Sequence, residues 1–162
     1  MADSEDKKSQ EGQGEVSARL EVATSPHISA GRTTRGVMLD VIIALIPATA
    51  TGVYVFGWRG AVQVGICVSS CILFEWLYQV IRRKPQTIGD LSAIVTGLIL
   101  ALSIPWTAPW YVAVVASGAA IILAKMIFGG LGANIFNPAM AGRAFVQACF
   151  SGQMTSYLLG GK

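Results

Sequence analysis

Four long apolar stretches, at about residues 37–56, 61–81, 88–104 and 110–128, fill most of the chain after its first 35 residues. They run roughly 17 to 21 residues each, against the about 20 residues that a helix needs to cross the hydrocarbon core of a bilayer. Inside lipid each backbone N–H and C=O must find a partner within the segment, and a helix does this along its own length. The composition agrees: 53% of residues are hydrophobic, only 13% are charged, and the mean hydropathy is +0.57. The pattern predicts an all-α, polytopic transmembrane protein.

Charge is segregated along the chain. Residues 1–35 hold six of the nine acidic residues and five of the twelve basic ones. This stretch is polar, mixed in sign and poor in large apolar residues, and reads as a disordered or peripheral tail. It lacks the apolar core and small-residue cleavage site of a secretory signal, so no cleavage is expected. The division is therefore a polar cytoplasmic tail over 1–35 and a membrane domain over 36–162, with a partial element at 139–150.

Basic residues also set the expected orientation. Lys7, Lys8, Arg19, Arg32 and Arg35 precede the first stretch, and Arg82, Arg83 and Lys84 follow the second. The two opposite turns hold only Arg59. The positive-inside bias predicts a cytoplasmic N-terminus, and Trp58, Trp106 and Trp110 then fall at the outer interface, where amphipathic rings settle.

A second feature interrupts the helical pattern. GGLGANIFNPAMAGR, residues 129–143, is rich in glycine and has Pro138 near its centre. Glycines let the backbone take positive φ, and a proline pushes the residue before it out of the α region. Non-helical backbone at membrane depth persists where it is buried in protein or lines a polar cavity, and such breaks mark binding sites in transport folds. Two readings stand together: a loop at the membrane surface, or a break that dips into protein. In the second, Gly132, Asn134 and Asn137 form a polar break able to face a bound group.

Ionisable residues inside the stretches are few. Asp40 lies in the first turn of its segment, where a carboxylate complements the helix dipole or serves a function. Glu75 lies six residues before the inner end of the second stretch, about 9 Å deep at 1.5 Å per residue. A carboxylate at that depth faces protein or a cavity, pairs, or carries a proton. Lys125 lies at matching depth on the fourth stretch. Either it snorkels back toward the cytoplasm or it pairs with Glu75. The two are the candidates for an ion path or a structural ion pair, the alternative being a glutamate tolerated near the interface.

The remaining patterns carry less chemistry. Ala116, Ala120 and Ala124 make a small-residue stripe suited to close helix packing. Cys67 and Cys71 lie one turn apart, Cys149 is distant, and His27 is the sole histidine, so packing is expected rather than a metal site. Phosphate-loop, dinucleotide and Ser-His-Asp signatures are absent, and the mixed tail gives no reason to expect nucleic acid. No catalytic residue is assigned.

Three strings together carry a family resemblance: SPHISAGRTTRGVMLDVIIALIPA at 25–48, GLILALSIPWTAPWY at 97–111, and GGLGANIFNPAMAGRAFV at 129–146. They resemble the D subunit of the Rnf ion-translocating ferredoxin:NAD⁺ oxidoreductase and its relative, the B subunit of the sodium-translocating NADH:quinone reductase. The resemblance implies a urea-transporter-like fold of two inverted five-helix repeats, of which this chain is similar to about one. It implies a subunit, not catalytic alone, of a bacterial cytoplasmic-membrane complex. That complex moves Na⁺ or H⁺ and contains further membrane, iron–sulfur and flavin subunits. It implies FMN, which the family esterifies to a threonine in an SGAT sequence. No SGAT occurs here. Ser151 and Gly152 are followed by Gln153 and Met154, and Thr155 does not match the motif. The chain is thus expected to be a truncated, fragmentary or split subunit that carries no covalent flavin. Half of a passive small-solute transporter, or an inactive remnant, remain the alternatives.

Overall fold

The computed structural model describes residues 33–83, 88–130 and 134–155. Residues 1–32 of the expected tail, Lys84 and Gly132 lie outside the described residues, and the last tail positions, Thr34 and Arg35, already belong to the first helix. Among the described residues all regular structure is helical, with no strand.

The first helix, α1, is Thr34–Phe56. Thr33 caps it, its hydroxyl accepting from the Gly36 N–H at 3.3 Å. Pro47 stands inside it and withholds one backbone donor. Nearby, Thr49 and Thr51 return their hydroxyls to the carbonyls of Leu45 and Pro47, at 2.9 and 2.8 Å. No residue of α1 is buried. Gly57, at φ 67°, turns the chain directly into α2, Trp58–Arg82. A side chain at that φ is strained, which is why glycine stands there.

Only one stripe of α2 is buried: Gly60, Gln63, Cys67, Cys71, Glu75 and Gln79. Its spacing of three or four residues keeps one face inward along the whole helix. At 23 and 25 residues, α1 and α2 are long and apolar enough to cross a membrane. Arg83 ends α2 in the left-handed region.

The third apolar stretch departs from the sequence reading. Ile88–Asp90 is a single 3₁₀ turn, Leu91 is left-handed at φ 63°, and α3 covers only Ser92–Ser103. Twelve residues rise about 18 Å, well short of the about 30 Å hydrocarbon core. Asp90 causes the late start: its carboxylate takes both the Ser92 N–H and hydroxyl, at 3.1 and 2.7 Å. Pro105 stops the helix and holds Ile104 extended, at ψ 137°.

After the Pro105–Pro109 turn, α4 runs over Trp110–Gly118 and continues, in the same direction, as a π-helix over Ala119–Met126. The wider winding persists at its end, where Ile127 N–H reaches Ile122 O and Gly130 N–H reaches Lys125 O. The last helices are α5, Pro138–Cys149, and the short α6, Ser151–Thr155.

Small residues set the packing. A Cβ added to Gly97 would lie 2.7 Å from Val68 Cα, so α3 and α2 meet backbone to backbone. One added to Gly142 would lie 2.6 Å from Ala116 O and 2.7 Å from Ala120 Cβ, so α5 sits equally close on α4. Ala116, Ala120 and Ala124 are all buried, the packing role that their spacing suggests. Cys67 and Cys71 are fully buried in the same core, beside Leu100, Val112 and Ile121.

Candidate functional site

Two helices and one turn converge on Glu75. Lys125, placed by the π segment, donates to both carboxylate oxygens at 2.8 Å and to Ser92 Oγ at 2.6 Å. An ammonium has three donors, and each has an acceptor here. The Ser92 hydroxyl donates in turn to Asp90 Oδ1 at 2.7 Å, and Gln79 Nε2 donates to Glu75 Oε1 at 3.3 Å. The result is one connected array, Asp90–Ser92–Lys125–Glu75–Gln79. Glu75 is 0% and Lys125 1% exposed. Removing one partner of such a pair strands the other charge, at a cost of about 3–5 kcal/mol.

The π winding shapes this array. With an i→i+5 pattern each turn holds an extra residue, and such segments recur at functional sites. Along Ala119–Met126 it turns Ala120, Ala124 and Lys125 toward α2 and α5. Tyr78 adds a further tie from α2, its hydroxyl 3.4 Å from Met126 O.

The glycine-rich break begins where this segment ends. Gly129 and Gly130 take φ 114° and 96°. With its amide nitrogen turned toward the helix end, Asn134 donates to Lys125 O at 3.1 Å and Gly130 O at 2.9 Å. It thereby adds a second donor to the Lys125 carbonyl, which Gly130 N–H already reaches, and takes up the Gly130 carbonyl. Asn137 serves the next helix: its side chain accepts from Ala139 N–H at 3.0 Å, and Pro138 occupies the first helical position. Between them Ile135 and Phe136 are 69% and 65% exposed. Among the described residues of the break, Asn134 turns its side chain onto the helix end, while Ile135 and Phe136 are exposed.

Lys125 and Asn134 border a cleft of about 420 Å³, with Ser92, Thr96, Asn137 and Pro138 on its walls. The candidate residues Glu75, Lys125, Asn134 and Asn137 therefore gather around one end of the bundle. Asp90 and Ser92 join them without having stood out in the sequence. Their signal there is a carboxylate two residues before a serine at a helix start, which reads as a simple cap. Asp40 stands on exposed α1.

Thr155 Oγ1 is turned back onto its own helix, donating to Ser151 O at 2.8 Å. At the start of α5 the Asn137 side chain takes up the Ala139 N–H.

Comparison with known proteins gives a consistent result. The model of the NQR2, RnfD, RnfE family matches residues 21–160. Over 137 residues the chain is 49% identical to the D subunit of the Na(+)-translocating ferredoxin:NAD(+) oxidoreductase complex of Acetobacterium woodii, covering 85% of this chain and 43% of that one. It is 44% identical over 138 residues to the D subunit of the ion-translocating oxidoreductase complex of Psychromonas ingrahamii, covering 84% and 39%. The corresponding protein of Actinobacillus succinogenes is 40% identical over 141 residues, covering 86% and 40%. The chain spans about two fifths of the length of these curated relatives.

Proposed function

The chain belongs to the NQR2, RnfD, RnfE family, and we propose that it forms part of the membrane portion of a redox-driven complex. That complex couples electron flow between ferredoxin and NAD⁺ to movement of Na⁺ or H⁺. In this reading the N-terminus is cytoplasmic, the host is a bacterial cytoplasmic membrane, and the partners are membrane, iron–sulfur and flavin subunits. The fold is one repeat of a urea-transporter-like pair. Flavin chemistry is assigned to the assembly, and no step is routed through a flavin on these residues.

The observation that carries the reading is the buried Glu75–Lys125 pair at the edge of the 420 Å³ cleft. A fixed ammonium on a carboxylate is a cation already in a cation site. When an incoming Na⁺ or H⁺ takes Glu75, the Lys125 ammonium gives up the carboxylate and keeps its bond to Ser92, beside the cleft. When the ion leaves, the lysine returns. A membrane carboxylate with a named partner is the physical minimum for such an exchange. Asp90 fixes the Ser92 hydroxyl, the acceptor that the lysine keeps throughout.

The test uses inverted membrane vesicles that contain the assembled complex with Glu75→Gln. Reduced ferredoxin and NAD⁺ drive electron transfer, while ²²Na⁺ uptake and a pH-indicating dye report ion movement. Electron transfer should persist, with ion uptake per electron reduced at least about tenfold, the equivalent of about 1.4 kcal/mol. Unchanged uptake per electron removes Glu75 from the route. Solute-driven vesicle swelling without electron transfer would favour a passive transporter instead.

A further inference from the structure

Helix α5 carries a single charge, Arg143, and no described residue answers it. Arg143 is half-buried and makes no ion pair or hydrogen bond among the described residues. Beyond its first 35 residues the chain has only three carboxylates. Glu75 and Asp90 belong to the Lys125 array, and Asp40 stands on α1. Gln147, one turn after Arg143, is likewise half-buried and without a hydrogen bond among the described residues.

The packing of α5 fixes the depth of this charge. The helix runs antiparallel to α4 and its π segment. Asn137, at its start, borders the cleft beside Lys125. Gly142 lies against Ala116 and Ala120, and Phe150 meets Tyr111 with ring centroids 5.9 Å apart. Arg143 is therefore level with the middle of Trp110–Met126. From that middle, Gly118, to exposed Trp110 is about 12 Å of rise. An arginine side chain is about six bonds of about 1.5 Å and extends about 7 Å. It stops short of the Trp110 level, where tryptophan marks the headgroups. Toward the other side it reaches the level of Pro138 and Glu75, with about 10 Å of α2 still to go before Arg82. In the membrane reading above, on which this inference rests, lipid phosphate is out of reach on both sides.

The surroundings of Arg143 suit a second helix. The buried stripe of α5 is Ala139, Gly142 and Val146. Arg143 and Gln147 lie one turn apart along its flank, and Met140, Ala144 and Ala148 continue that flank onto the exposed side. Small residues at four-residue spacing let another backbone approach closely. Arginine at membrane depth faces protein and pairs. We infer that this flank of α5 docks a membrane helix of a partner protein that carries an aspartate or glutamate at mid-depth. The carboxylate accepts a forked pair of hydrogen bonds from Arg143, and Gln147 offers a further donor one turn away. A second copy of this chain matches less well. Its Glu75 and Asp90 are engaged within the fold. Its Asp40 lies about 24 Å of rise before Phe56, which stacks on Trp106 at the outer end. That places Asp40 about 12 Å from the level of Arg143. The flank shares no residue with the Glu75 cluster.

The experiment places a genetically encoded diazirine amino acid at Met140 of the full chain, within its assembly in membranes. After illumination, mass spectrometry identifies the crosslinked peptide. It should come from a membrane helix of another polypeptide and contain an aspartate or glutamate. The yield should fall severalfold in Arg143→Gln and fall less in Arg143→Lys. Arg143→Glu should lose the crosslink and regain it when the identified carboxylate is changed to lysine. Protection of Cys67 and Cys71 from maleimide shows that each variant is folded. An unchanged yield in Arg143→Gln would overturn the proposal. So would a crosslink to lipid, to a second copy or to residues 1–32, or a partner helix without a carboxylate. A phosphatidylglycerol with a diazirine in its acyl chain, added to the same membranes, should label exposed Ile43 and Ile81. Labelling there without an Arg143-dependent crosslink overturns this inference alone, whereas no labelling there removes the membrane reading as well.

Discussion

The two ends of α2 present the same buried face in opposite states. At one end Glu75 meets Lys125, Gln79 and, through the lysine, Ser92 and Asp90, so its polar contacts are made within this chain. At the other end, about three helical turns away, Gln63 is also buried, yet its amide donor is unmatched among the described residues. The first end is a finished device whose parts come from α2, the start of α3 and the π segment that continues α4. The second is a socket. The contrast separates what this chain builds alone from what it takes from its surroundings.

The largest effect should come from breaking the finished end. Lys125→Ala leaves Glu75 charged, buried and unpaired, and is expected to lose about 3–5 kcal/mol. Maleimide labelling of the chain in detergent reads this directly. Cys67 and Cys71 are buried and Cys149 exposed, so the first two thiols report unfolding and the third serves as control. The double change Glu75→Leu with Lys125→Met should restore protection, because apolar residues of similar volume replace a buried pair with little loss. If Lys125→Ala alone keeps both thiols protected, the Glu75–Lys125 pair does not hold the bundle together.

Next in size is Gly97→Val, which forces a Cβ to within 2.7 Å of Val68 Cα. Overpacking of this kind costs about 1–3 kcal/mol, and Cys67, whose carbonyl faces the same contact, should label faster. Ser92→Ala removes one of three acceptors from a buried ammonium, with an expected loss of about 1–3 kcal/mol. The same thiol labelling should rank it below Lys125→Ala. Asn137→Ala removes a helix cap for about 1 kcal/mol. It should shift the detergent melting midpoint only slightly while impairing assembly, because exposed Ile135 and Phe136 sit beside it.

The smallest effect is predicted at the socket. Gln63→Leu, in detergent stripped of lipid, should leave thiol protection unchanged or improved, since an unpaired buried amide is replaced by apolar atoms. A loss comparable to Ser92→Ala would show that Gln63 is already satisfied, and the contrast between the two ends would disappear.

Much of this is legible in the sequence, for identifiable reasons. The apolar stretches announce helices because length and hydropathy are what a bilayer selects. Matched depth alone links Glu75 to Lys125. The π winding is not legible, because Ala119–Met126 contains ordinary apolar and helix-forming residues and its flanking backbone angles stay close to α. The late start of α3 is hidden for a similar reason: Ile88 and Leu91 are apolar, and nothing in their composition reveals that Asp90 captures Ser92 first. Gln63 is visible as an amide between Val62 and Val64, but its significance depends on what fails to reach it, which only geometry shows.

The π segment also bears on how this chain tolerates changes in length. Deleting a residue from a regular membrane helix rotates everything beyond it by about 100°, since about 3.6 residues make a turn. Ala119–Met126 already holds more residues per turn than an α-helix. A single deletion there can be absorbed by tightening to the α pattern, with α5 left in place. The residue that loses its direction is Lys125. The helix register is thus permissive of a change at the one stretch where the ion pair is least permissive of it, and selection on that stretch would act through the Glu75–Lys125 pair rather than through the placement of α5.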